Sequence, residues 1–494
     1  MSNSLHQLYK SSLVLLTDFY QLTMAYGYWK NKIHEREAVF YHSIRKAPFK
    51  GGYAICAGLG TLIEFLEGFG FSKEDIDYLS ELRDSQGKVL FHKDFLDYLS
   101  HLKFSCDIDA IEEGSVVFPH EPLVRVKGPL LQCQLLESIL LNIINFQTLI
   151  ATSAARIVQA TREEPVLEFG LRRAQGFDGG LMASRAAYIG GCVATSNVLA
   201  GKLFGIPVRG THAHSWVLCF NSELDAFRAY AKAMPDRCIF LVDTYNTLQG
   251  VENAIKIADE LKPEGFQLAG IRLDSGDLAY LSKEARKRLD AAGYKDACIV
   301  GSNDLNPLVI TSLKEQEAKI NVWGVGTRLI TAFEQPALDG VYKLSAIRSL
   351  QGEWEYKVKL SEQTIKISTP GILAARRFYF DSNYEHAMAD AIYDELLGIP
   401  EECTIIDPAD ATRRRLFAPG TPYRELLQPI FRKGQLLYKR PLLQEIQKKT
   451  QEELKQFDES IRRILNPHVY PAGLEKNLYQ SKQELILKAK GLLK

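Results

Sequence analysis

Two histidines stand two residues apart in the segment Gly210-Thr-His212-Ala-His214-Ser, directly after a short apolar run. In an extended chain, residues i and i+2 share one face, so both imidazoles could bind one metal ion. No third ligand occurs at a diagnostic spacing, and a zinc site is therefore not supported. A histidine that acts as a nucleophile or as an acid or base, held by the tight Gly-Thr turn, fits the pattern better.

A second group of chemically useful residues lies in Arg272-Leu-Asp274-Ser-Gly-Asp277. A carboxylate beside an arginine stays ionised, and Asp274 in that state suits Mg²⁺ or the hydroxyl groups of a ribose. Asp243 occupies the equivalent place one repeat earlier in the chain. A purely structural pair between Arg272 and Asp274 is the alternative interpretation.

Arginines and glycines are concentrated in residues 168–191, which contain Arg172, Arg173 and Arg185. Glycine lets the backbone approach a ligand closely, and guanidinium groups bind phosphate through paired hydrogen bonds. This pattern predicts an anion-binding loop, whereas the simpler alternative is a loop with surface arginines. Because the chain has 60 basic and 60 acidic residues, an anionic ligand needs such local positive charge.

A glycine turn at Gly324-Val-Gly326-Thr327 follows a late apolar run. It has the first two glycines of a dinucleotide-binding fingerprint but Leu329 in place of the third, which makes a Rossmann interpretation weak. A P-loop sequence is absent. A short Gly-x-Gly-Thr turn after a buried strand still suits a phosphate group, since its backbone N–H groups can approach the anion.

The elements that must position these residues are short apolar runs that alternate with segments of helical periodicity. This repeat favours a parallel sheet or a closed barrel, whose active site lies at the carboxyl ends of the strands. The alternative for Asp277, Ser302 and Asp304 is that they only cap the helices that follow. Polar or glycine residues follow the runs at Glu168, Thr211 to His214, Asp243, Asp274, Ser302 with Asn303, and Gly324 to Thr327.

The composition, with 46% hydrophobic and 24% charged residues, is that of a globular protein and excludes global disorder. The eight cysteines are scattered without a C-x-x-C pair, which predicts buried thiols in a reducing compartment. The N-terminus lacks the pattern of a secretory signal, and the most apolar stretch, residues 129–151, is interrupted by polar side chains. We therefore expect a soluble cytoplasmic protein that binds neither nucleic acid nor membranes.

The residues on which a family resemblance depends are eight motifs in order. They are LLTDFYQLTMAYGYW (15–29), EFGLRRAQG (168–176), GTHAHS (210–215), DTYNTLQG (243–250), GIRLDSGDL (270–278), IVGSNDLN (299–306), GVGTRL (324–329) and LDGVYKL (338–344). Together they resemble nicotinate phosphoribosyltransferase, a type II phosphoribosyltransferase, over roughly residues 13–345. The segment NPHVYPAGLEKNLYQSKQELI near the C-terminus is also similar to that family.

The resemblance implies an α/β fold: an irregular α/β barrel with a β-rich N-terminal α/β sandwich domain and a C-terminal extension. We expect the N-terminal domain in residues 1–130, the barrel in 131–370 and the extension in 371–494. The N-terminal segment would pack on the barrel or on the partner subunit of a homodimer.

The resemblance also implies the reaction. Nicotinate and phosphoribosyl pyrophosphate would give nicotinate mononucleotide and pyrophosphate in NAD biosynthesis, coupled to ATP hydrolysis through a phosphohistidine. Mg²⁺ is the expected metal, with Mn²⁺ as the alternative, and ATP is the co-substrate. His214 would be phosphorylated and catalytic, and Asp274 would be catalytic and hold the metal. The expected substrate-binding residues are Tyr20, Arg172, Thr211, Asp243, Arg272, Ser302, Asn303, Gly324, Gly326 and Thr327; within this set Tyr20, Thr211 and Arg272 would contact nicotinate, and Thr327 would hold the 5′-phosphate.

Three rival functions remain at this point. The first is a nicotinamide or quinolinate phosphoribosyltransferase on the same scaffold, because the choice of ring substituent depends on a few side chains. The second is a non-catalytic homologue that binds a metabolite. A generic barrel aldolase is the third, although no lysine stands at a central strand end, where it would form a Schiff base.

Overall fold

The computed structural model describes residues 12–363 and 366–493. Its α-helices in the described part of the chain are α1 (Phe19–Lys30), α2 (Leu59–Glu67), α3 (Lys73–Glu81), α4 (Lys93–Ser100), α5 (Leu130–Leu135), α6 (Glu137–Ala160), α7 (Phe177–Ile189), α8 (Val198–Phe204), α9 (His214–Leu218), α10 (Glu223–Ala233), α11 (Thr247–Leu261), α12 (Leu278–Ala291), α13 (Pro307–Glu315), α14 (Thr327–Ile330), α15 (Leu443–Lys455), α16 (Glu459–Arg462) and α17 (Lys476–Ala489).

The strands in the same residues are β1 (Glu37–Ile44), β2 (Ala54–Ile55), β3 (Asp107–Ile111), β4 (Val116–Val117), β5 (Val124–Pro129), β6 (Val166–Glu168), β7 (Ala194–Thr195), β8 (Ile239–Leu241), β9 (Gly270–Leu273), β10 (Cys298–Ser302), β11 (Val322–Val325), β12 (Gly340–Arg348), β13 (Trp354–Tyr356), β14 (Leu373–Tyr379), β15 (Ala387–Asp394), β16 (Cys403–Ile406), β17 (Arg414–Phe417), β18 (Tyr423–Glu425), β19 (Leu427–Arg432), β20 (Gln435–Leu436) and β21 (Ala472–Glu475). The predicted α/β class is confirmed.

The chain forms two compact units, and the second unit, Ile150–Pro336, contains the predicted βα repeat. Its six strands are all parallel, in the order β7-β6-β11-β10-β9-β8. The central strands are apolar and buried, as is typical of a parallel sheet that is covered on both faces. Side-chain caps stabilise the start of three helices that follow the strands. Asn246, Asp277 and Asn306 each accept a backbone N–H at the start of α11, α12 and α13.

Two details of this sheet differ from the sequence prediction. The run at 207–210 contributes only a single parallel bridge, between Val208 and Thr195, rather than a full strand. The two-residue strand β7 was not predicted, because two residues are too few to show a periodicity. Of the three residues for which helix capping was the alternative, Asp277 caps α12, whereas Asn306 caps α13 in place of Ser302 or Asp304.

The first unit consists of Met1–Leu149 and Ala337–Lys494 and contains a seven-stranded sheet, in the order β13-β12-β1-β5-β3-β19-β20. The N-terminal residues contain antiparallel strands, since β5 pairs antiparallel with both β1 and β3. A six-stranded sheet, β17-β16-β21-β15-β14-β18, is built from C-terminal residues alone. The predicted packing of the N-terminal segment falls partly on residues 1–11, outside the described residues.

The two compact units differ from the three domains expected from the sequence, which were consecutive segments with boundaries at residues 130 and 370. Residues 337–494 group with the N-terminal residues because β12 pairs with β1 and β19 pairs with β3, and both pairs are antiparallel. The C-terminal residues therefore complete a sheet that the N-terminal residues begin.

The helix α6 is long and apolar enough, by length and composition, to cross a membrane, and it is the one such helix in the described residues. However, 72% of its most apolar window is buried inside the protein. Burial of this extent is typical of a core helix. Most cysteines are also buried, as predicted: Cys56, Cys106, Cys133, Cys192, Cys238 and Cys403.

Candidate functional site

The carboxyl ends of four neighbouring parallel strands meet at one edge of the sheet in the second unit. Ser302 at the end of β10 lies in register with Gly324 of β11, and Gly301 lies in register with Leu273 of β9. Asp274 follows β9 directly, and Asp243 follows β8 by two residues. We call the group formed by Thr211, His214, Asp243, Arg272, Asp274 and Ser302 the strand-end site.

Arg272 connects the members of the strand-end site. Its Nε donates to Ser302 Oγ at 2.9 Å, Nη1 donates to Thr211 Oγ1 at 3.1 Å and Nη2 donates to Asp274 Oδ1 at 2.7 Å. Its guanidinium carbon also lies 5.5 Å from the centre of the Phe169 ring. A guanidinium has five N–H donors in a fixed fork, so one N–H on each terminal nitrogen is left for a ligand. The arginine is thus oriented by protein contacts before a ligand binds.

Two carboxylates lie beside this arginine. The backbone N–H of Asp274 and the hydroxyl of Ser275 both donate to Asp243 Oδ2, at 2.9 and 2.6 Å. The other oxygen, Asp243 Oδ1, is buried and has no hydrogen-bond partner among the described residues. Partial burial raises the pKa of Asp274, but the hydrogen bond from Ser302 and the charge of Arg272 outweigh burial and lower this pKa below its usual value. Asp274 is therefore ionised at neutral pH.

The donor set of the strand-end site fits Mg²⁺. This ion prefers oxygen ligands, keeps several waters and is held by one or two carboxylates together with substrate phosphates. Asp243 Oδ1, with its unfilled hydrogen-bonding capacity, and Asp274 would supply the protein oxygens. A cluster of three or more His, Cys, Asp or Glu side chains, as a zinc site requires, does not occur among the described residues.

The two histidines have different surroundings. His214, the first residue of α9, is 43% exposed at its side chain; its Nδ1 lies 3.1 Å from Thr244 Oγ1, and its Nε2 lies 4.0 Å from Asp243 Oδ1. His212 is buried among aromatic rings and accepts the backbone N–H of Leu241, and burial lowers its pKa to about 4. His212 is therefore a neutral structural residue, and His214 alone is accessible for chemistry.

The turns after β10 and β11 supply backbone for an anion. A Cβ on Gly324 would come within 2.8 Å of the Phe169 ring, so only glycine fits at this position without a shift. Asn303 and Asp304 have positive φ angles of 96° and 39°. This conformation is uncommon for residues other than glycine and occurs often at functional sites. Gly326 and Thr327 then begin α14.

Three other residues singled out from the sequence have the following surroundings. Arg172 is exposed on a short 3₁₀ turn after β6 and makes no ion pair or hydrogen bond to the site within the described residues. Tyr20 belongs to α1 in the first unit, where it is 48% exposed. Glu168 stands at the end of β6, but its carboxylate is occupied by hydroxyl groups of Ser184 and Thr195.

The sequence analysis missed three residues that shape the site. Thr244 and Ser275 immediately follow the predicted aspartates, and each makes a hydrogen bond within the site. Phe169 provides the aromatic surface beside Arg272 and Gly324. The place of Thr244 and Ser275 after a strand-end aspartate was an available signal, whereas the position of Phe169 depends on the pairing of β6 with β11.

Comparison with known proteins gives a consistent result along the whole chain. Residues 15–145 match the nicotinate phosphoribosyltransferase (NAPRTase) N-terminal domain, residues 166–359 match the nicotinate phosphoribosyltransferase (NAPRTase) family, and residues 375–482 match the nicotinate phosphoribosyltransferase C-terminal domain. The nicotinate phosphoribosyltransferase of Bacillus subtilis (strain 168) is 44% identical over 482 residues, which cover 97% of this chain and 96% of the relative.

Solved structures agree with these matches. The crystal structure of human nicotinic acid phosphoribosyltransferase has a TM-score of 0.81 and 31% sequence identity, and the alignment covers 95% of this chain and 99% of the human chain. The nicotinate-nucleotide pyrophosphorylase of Pyrococcus furiosus has a TM-score of 0.68 at 20% identity, which indicates a shared fold.

Proposed function

This chain belongs to the nicotinate phosphoribosyltransferase family, and on that premise we propose that its strand-end site joins nicotinate to phosphoribosyl pyrophosphate. The products are nicotinate mononucleotide, a precursor in NAD biosynthesis, and pyrophosphate. The observation that supports this proposal is the orientation of the Arg272 guanidinium, whose hydrogen bonds to the protein leave two N–H groups for a ligand. Beside it lie the ionised carboxylate of Asp274 and the Oδ1 atom of Asp243, which has no hydrogen-bond partner among the described residues.

Arg272 selects the ring substrate. The carboxylate of nicotinate can accept paired hydrogen bonds from a guanidinium, whereas the amide of nicotinamide carries no charge and offers a single acceptor oxygen. The Phe169 ring beside the guanidinium offers a flat surface for a pyridine ring. The family resemblance assigns Tyr20 a further contact to nicotinate, and this assignment stays a prediction. A nicotinamide or quinolinate substrate is less well supported than nicotinate.

The group transfer needs no strong protein base. The ring nitrogen of nicotinate attacks C1 of the ribose, the N–C1 bond forms, the C1–O bond breaks, and pyrophosphate leaves with the electron pair of that bond. Mg²⁺, when bound, would neutralise negative charge on the leaving pyrophosphate. Asp243 and Asp274 would hold the ion, while the glycine turn from Gly324 to Thr327 and the Ser302-Asn303 turn would orient the phosphates through their backbone N–H groups. Arg172 would add positive charge near the pyrophosphate or the carboxylate of nicotinate.

We also propose that ATP hydrolysis is coupled to this reaction through His214. Its Nδ1 faces Thr244, which leaves Nε2 to take the γ-phosphoryl group as the terminal P–O bond of ATP breaks and ADP departs. Water later hydrolyses the N–P bond and releases phosphate. Because a phosphate on His214 would lie beside Asp243, its negative charge would change the charge balance of the site and the affinity for phosphoribosyl pyrophosphate. A cytoplasmic homodimer is the expected form of the enzyme.

A product assay tests the reaction. The full-length protein is incubated with nicotinate, nicotinamide or quinolinate, each with phosphoribosyl pyrophosphate and Mg²⁺, with and without ATP, and the nucleotide is identified by mass spectrometry. We expect nicotinate mononucleotide, formed faster with ATP, and no product from the other rings at equal concentration. Turnover of quinolinate or nicotinamide in preference to nicotinate would contradict the proposal, and binding of phosphoribosyl pyrophosphate without any turnover would indicate a non-catalytic homologue.

The His214→Ala variant tests the coupling separately. We expect it to form no phosphoenzyme from γ-labelled ATP and to lose the stimulation by ATP, while the slow reaction without ATP persists. His212→Ala is not a suitable control, because His212 is buried in the core; Ser215→Ala, one residue beyond the phosphorylated position, is the control that should keep the phosphoenzyme. ATP stimulation that survives in His214→Ala would exclude the phosphohistidine.

A further inference from the structure

A large cavity lies entirely within the first unit, between the edge of the six-stranded sheet and the loop that precedes β21. Its volume is about 1060 Å³, and all of its lining residues fall between positions 405 and 473. Small-molecule sites usually occupy roughly 300–1000 Å³. The cavity shares no residue with the strand-end site, and the proposed reaction gives it no role.

The lining of this cavity is strongly basic. Arg413, Arg414 and Arg415 lie on or next to the edge strand β17, and Arg463 lies on the facing loop. Arg413 forms an ion pair, with its Nε 3.4 Å from Asp410 Oδ2, and Arg463 interacts electrostatically with Asp458. In the described residues no carboxylate lies within 4.0 Å of the other three guanidinium groups; Arg414 and Arg415 donate to backbone carbonyl oxygens instead.

The acidic residues near the cavity are occupied by their own turns. Asp407 Oδ1 accepts the backbone N–H groups of Ala409 and Asp410. Asp410 Oδ1 accepts both the backbone N–H and the hydroxyl of Thr412. These carboxylates hold the turn between β16 and β17. The cavity lining contains four arginines and one carboxylate, that of Asp407, and is therefore basic overall.

The frame of the cavity is fixed by hydrogen bonds. The backbone N–H of His468 donates to Ser460 O at 2.8 Å, and the N–H of Asp390 donates to Pro471 O at 2.9 Å. Tyr470, which lines the cavity, is buried and donates its hydroxyl to Asp390 Oδ1 at 2.9 Å. Because the protein itself makes these contacts, the backbone around the cavity is held in place by hydrogen bonds.

We propose that this arginine cavity, lined by Arg413, Arg414, Arg415 and Arg463, binds a small molecule through two or more linked phosphate groups. Guanidinium forks match phosphate oxygens in paired hydrogen bonds, and several of them suit a polyphosphate better than a single phosphate. Ile405, Pro467 and Val469 add apolar wall beside the arginines, against which a non-phosphate part of the ligand can pack. The cavity is thus a second anion site on this chain.

Calorimetric titration with sodium tripolyphosphate tests the proposal on the full-length protein. The parent and every variant keep the strand-end site unchanged, so any phosphate binding there is the same in all of them. We expect a saturable site whose affinity falls at least roughly tenfold in the double variant Arg414→Ala/Arg463→Ala, since each charge-assisted hydrogen bond contributes about a tenfold factor or more. Arg83→Ala removes an exposed arginine outside the cavity and should leave the affinity unchanged.

Further titrations identify the source of the phosphate groups. Inorganic phosphate, pyrophosphate, tripolyphosphate and ATP are compared at equal ionic strength, and the affinity should rise along the first three. Tighter binding of ATP than of tripolyphosphate would assign a role to the apolar wall. The absence of saturable binding, or equal affinities in the double variant and its parent, would overturn the proposal. No step depends on turnover, so the result is independent of the proposed reaction.

Discussion

In the second unit, Arg272 and Asp274 form an ion pair whose side chains are 15% and 27% exposed, whereas Arg377 and Asp390 in the first unit form a pair exposed by 1% and 0%. Arg272 lies on the parallel strand β9 and Asp274 directly follows that strand, whereas Arg377 and Asp390 face each other across the antiparallel strands β14 and β15. They differ in what remains available. Arg272 keeps N–H donors for a ligand, while Arg377 directs its donors to Asp390, Glu453 and the carbonyl oxygen of Val116.

The buried network around Arg377 contains Asp390, Glu453, Glu121 and Tyr470. The guanidinium lies between the rings of Phe118 and Phe457, at 5.7 and 4.9 Å from their centres. No water-accessible face of Arg377 is left for a ligand, so the network is structural. Comparison of the two regions teaches that charge alone does not mark a functional site; a charge with unfilled hydrogen-bonding capacity at an accessible position does.

Arg377→Ala should have the largest effect and act on stability. Removal of one partner from a buried ion pair leaves an uncompensated charge and typically costs about 3–5 kcal/mol. We expect a loss of this size in the free energy of unfolding by denaturant titration, or insoluble protein. Arg413→Ala, which breaks an exposed pair with Asp410, should change stability by about 0.5 kcal/mol or less. A similar small change for both variants would remove the contrast between the two regions.

Asp274→Asn should have the second-largest effect and act on catalysis. It removes the charge that orients Arg272 and holds the metal, so kcat/KM should fall by roughly 10²–10³, while the melting temperature changes little. Asp277→Asn is the matched control in the same turn, because asparagine caps a helix as well as aspartate does. Steady-state kinetics with nicotinate compare the two variants. Equal activity in both would show that Asp274 is only structural.

Much of the strand-end site could be predicted because its residues follow contiguous apolar runs, and parallel strands bring their carboxyl ends to one edge. His214, Asp243, Arg272, Asp274 and Ser302 were found in this way or by resemblance, and the structure brings them together. Their proposed roles in binding and catalysis remain predictions. The roles of Arg172 and Tyr20 remain predictions as well. Arg172 makes no ion pair or hydrogen bond to this group among the described residues, and Tyr20 belongs to the first unit.

The buried network could not be predicted from the sequence. Arg377 meets Asp390 only through the antiparallel register of β14 and β15, which a sequence pattern does not specify. Glu453 reaches the same guanidinium from α15, 76 positions along the chain. The pairing of β19 with β3 could not be predicted either, because the sequence of neither strand identifies its distant partner. Local patterns predicted which residues end a strand, and long-range pairing decided which charges became buried.

Glu121→Gln should stabilise the protein moderately and in a pH-dependent manner. Burial and the charge of Asp390 raise the pKa of Glu121 well above 4.5, although Arg377 opposes this, so the folded protein favours the protonated side chain. Stability from this group is therefore complete below pH 4.5 and falls as the pH rises towards the raised pKa. Glutamine mimics the protonated form, and we expect a gain of about 1–3 kcal/mol at pH 7.

The gain from Glu121→Gln should vanish below about pH 4, because both side chains are then neutral. Denaturant titrations at pH 4 and pH 7 measure it. Glu385→Gln, an exposed carboxylate in the same unit, serves as the control and should show no such dependence. A Glu121→Gln variant that is less stable than the parent at pH 7 would mean that the network requires the charged carboxylate.

Thr244→Val should have the smallest effect, and it tests how the strand-end site orients His214. Valine keeps the shape of threonine but removes the hydroxyl that meets His214 Nδ1. A single hydrogen bond contributes about 0.5–1.5 kcal/mol, so phosphoenzyme formation from ATP should slow by roughly three- to tenfold, with little change in KM for nicotinate. Thr244→Ser should restore the rate because it restores the hydroxyl. If the serine and valine variants behave alike, side-chain packing rather than the hydrogen bond orients His214. The strand-end site would then resemble the buried network around Arg377 more closely than its exposure suggests.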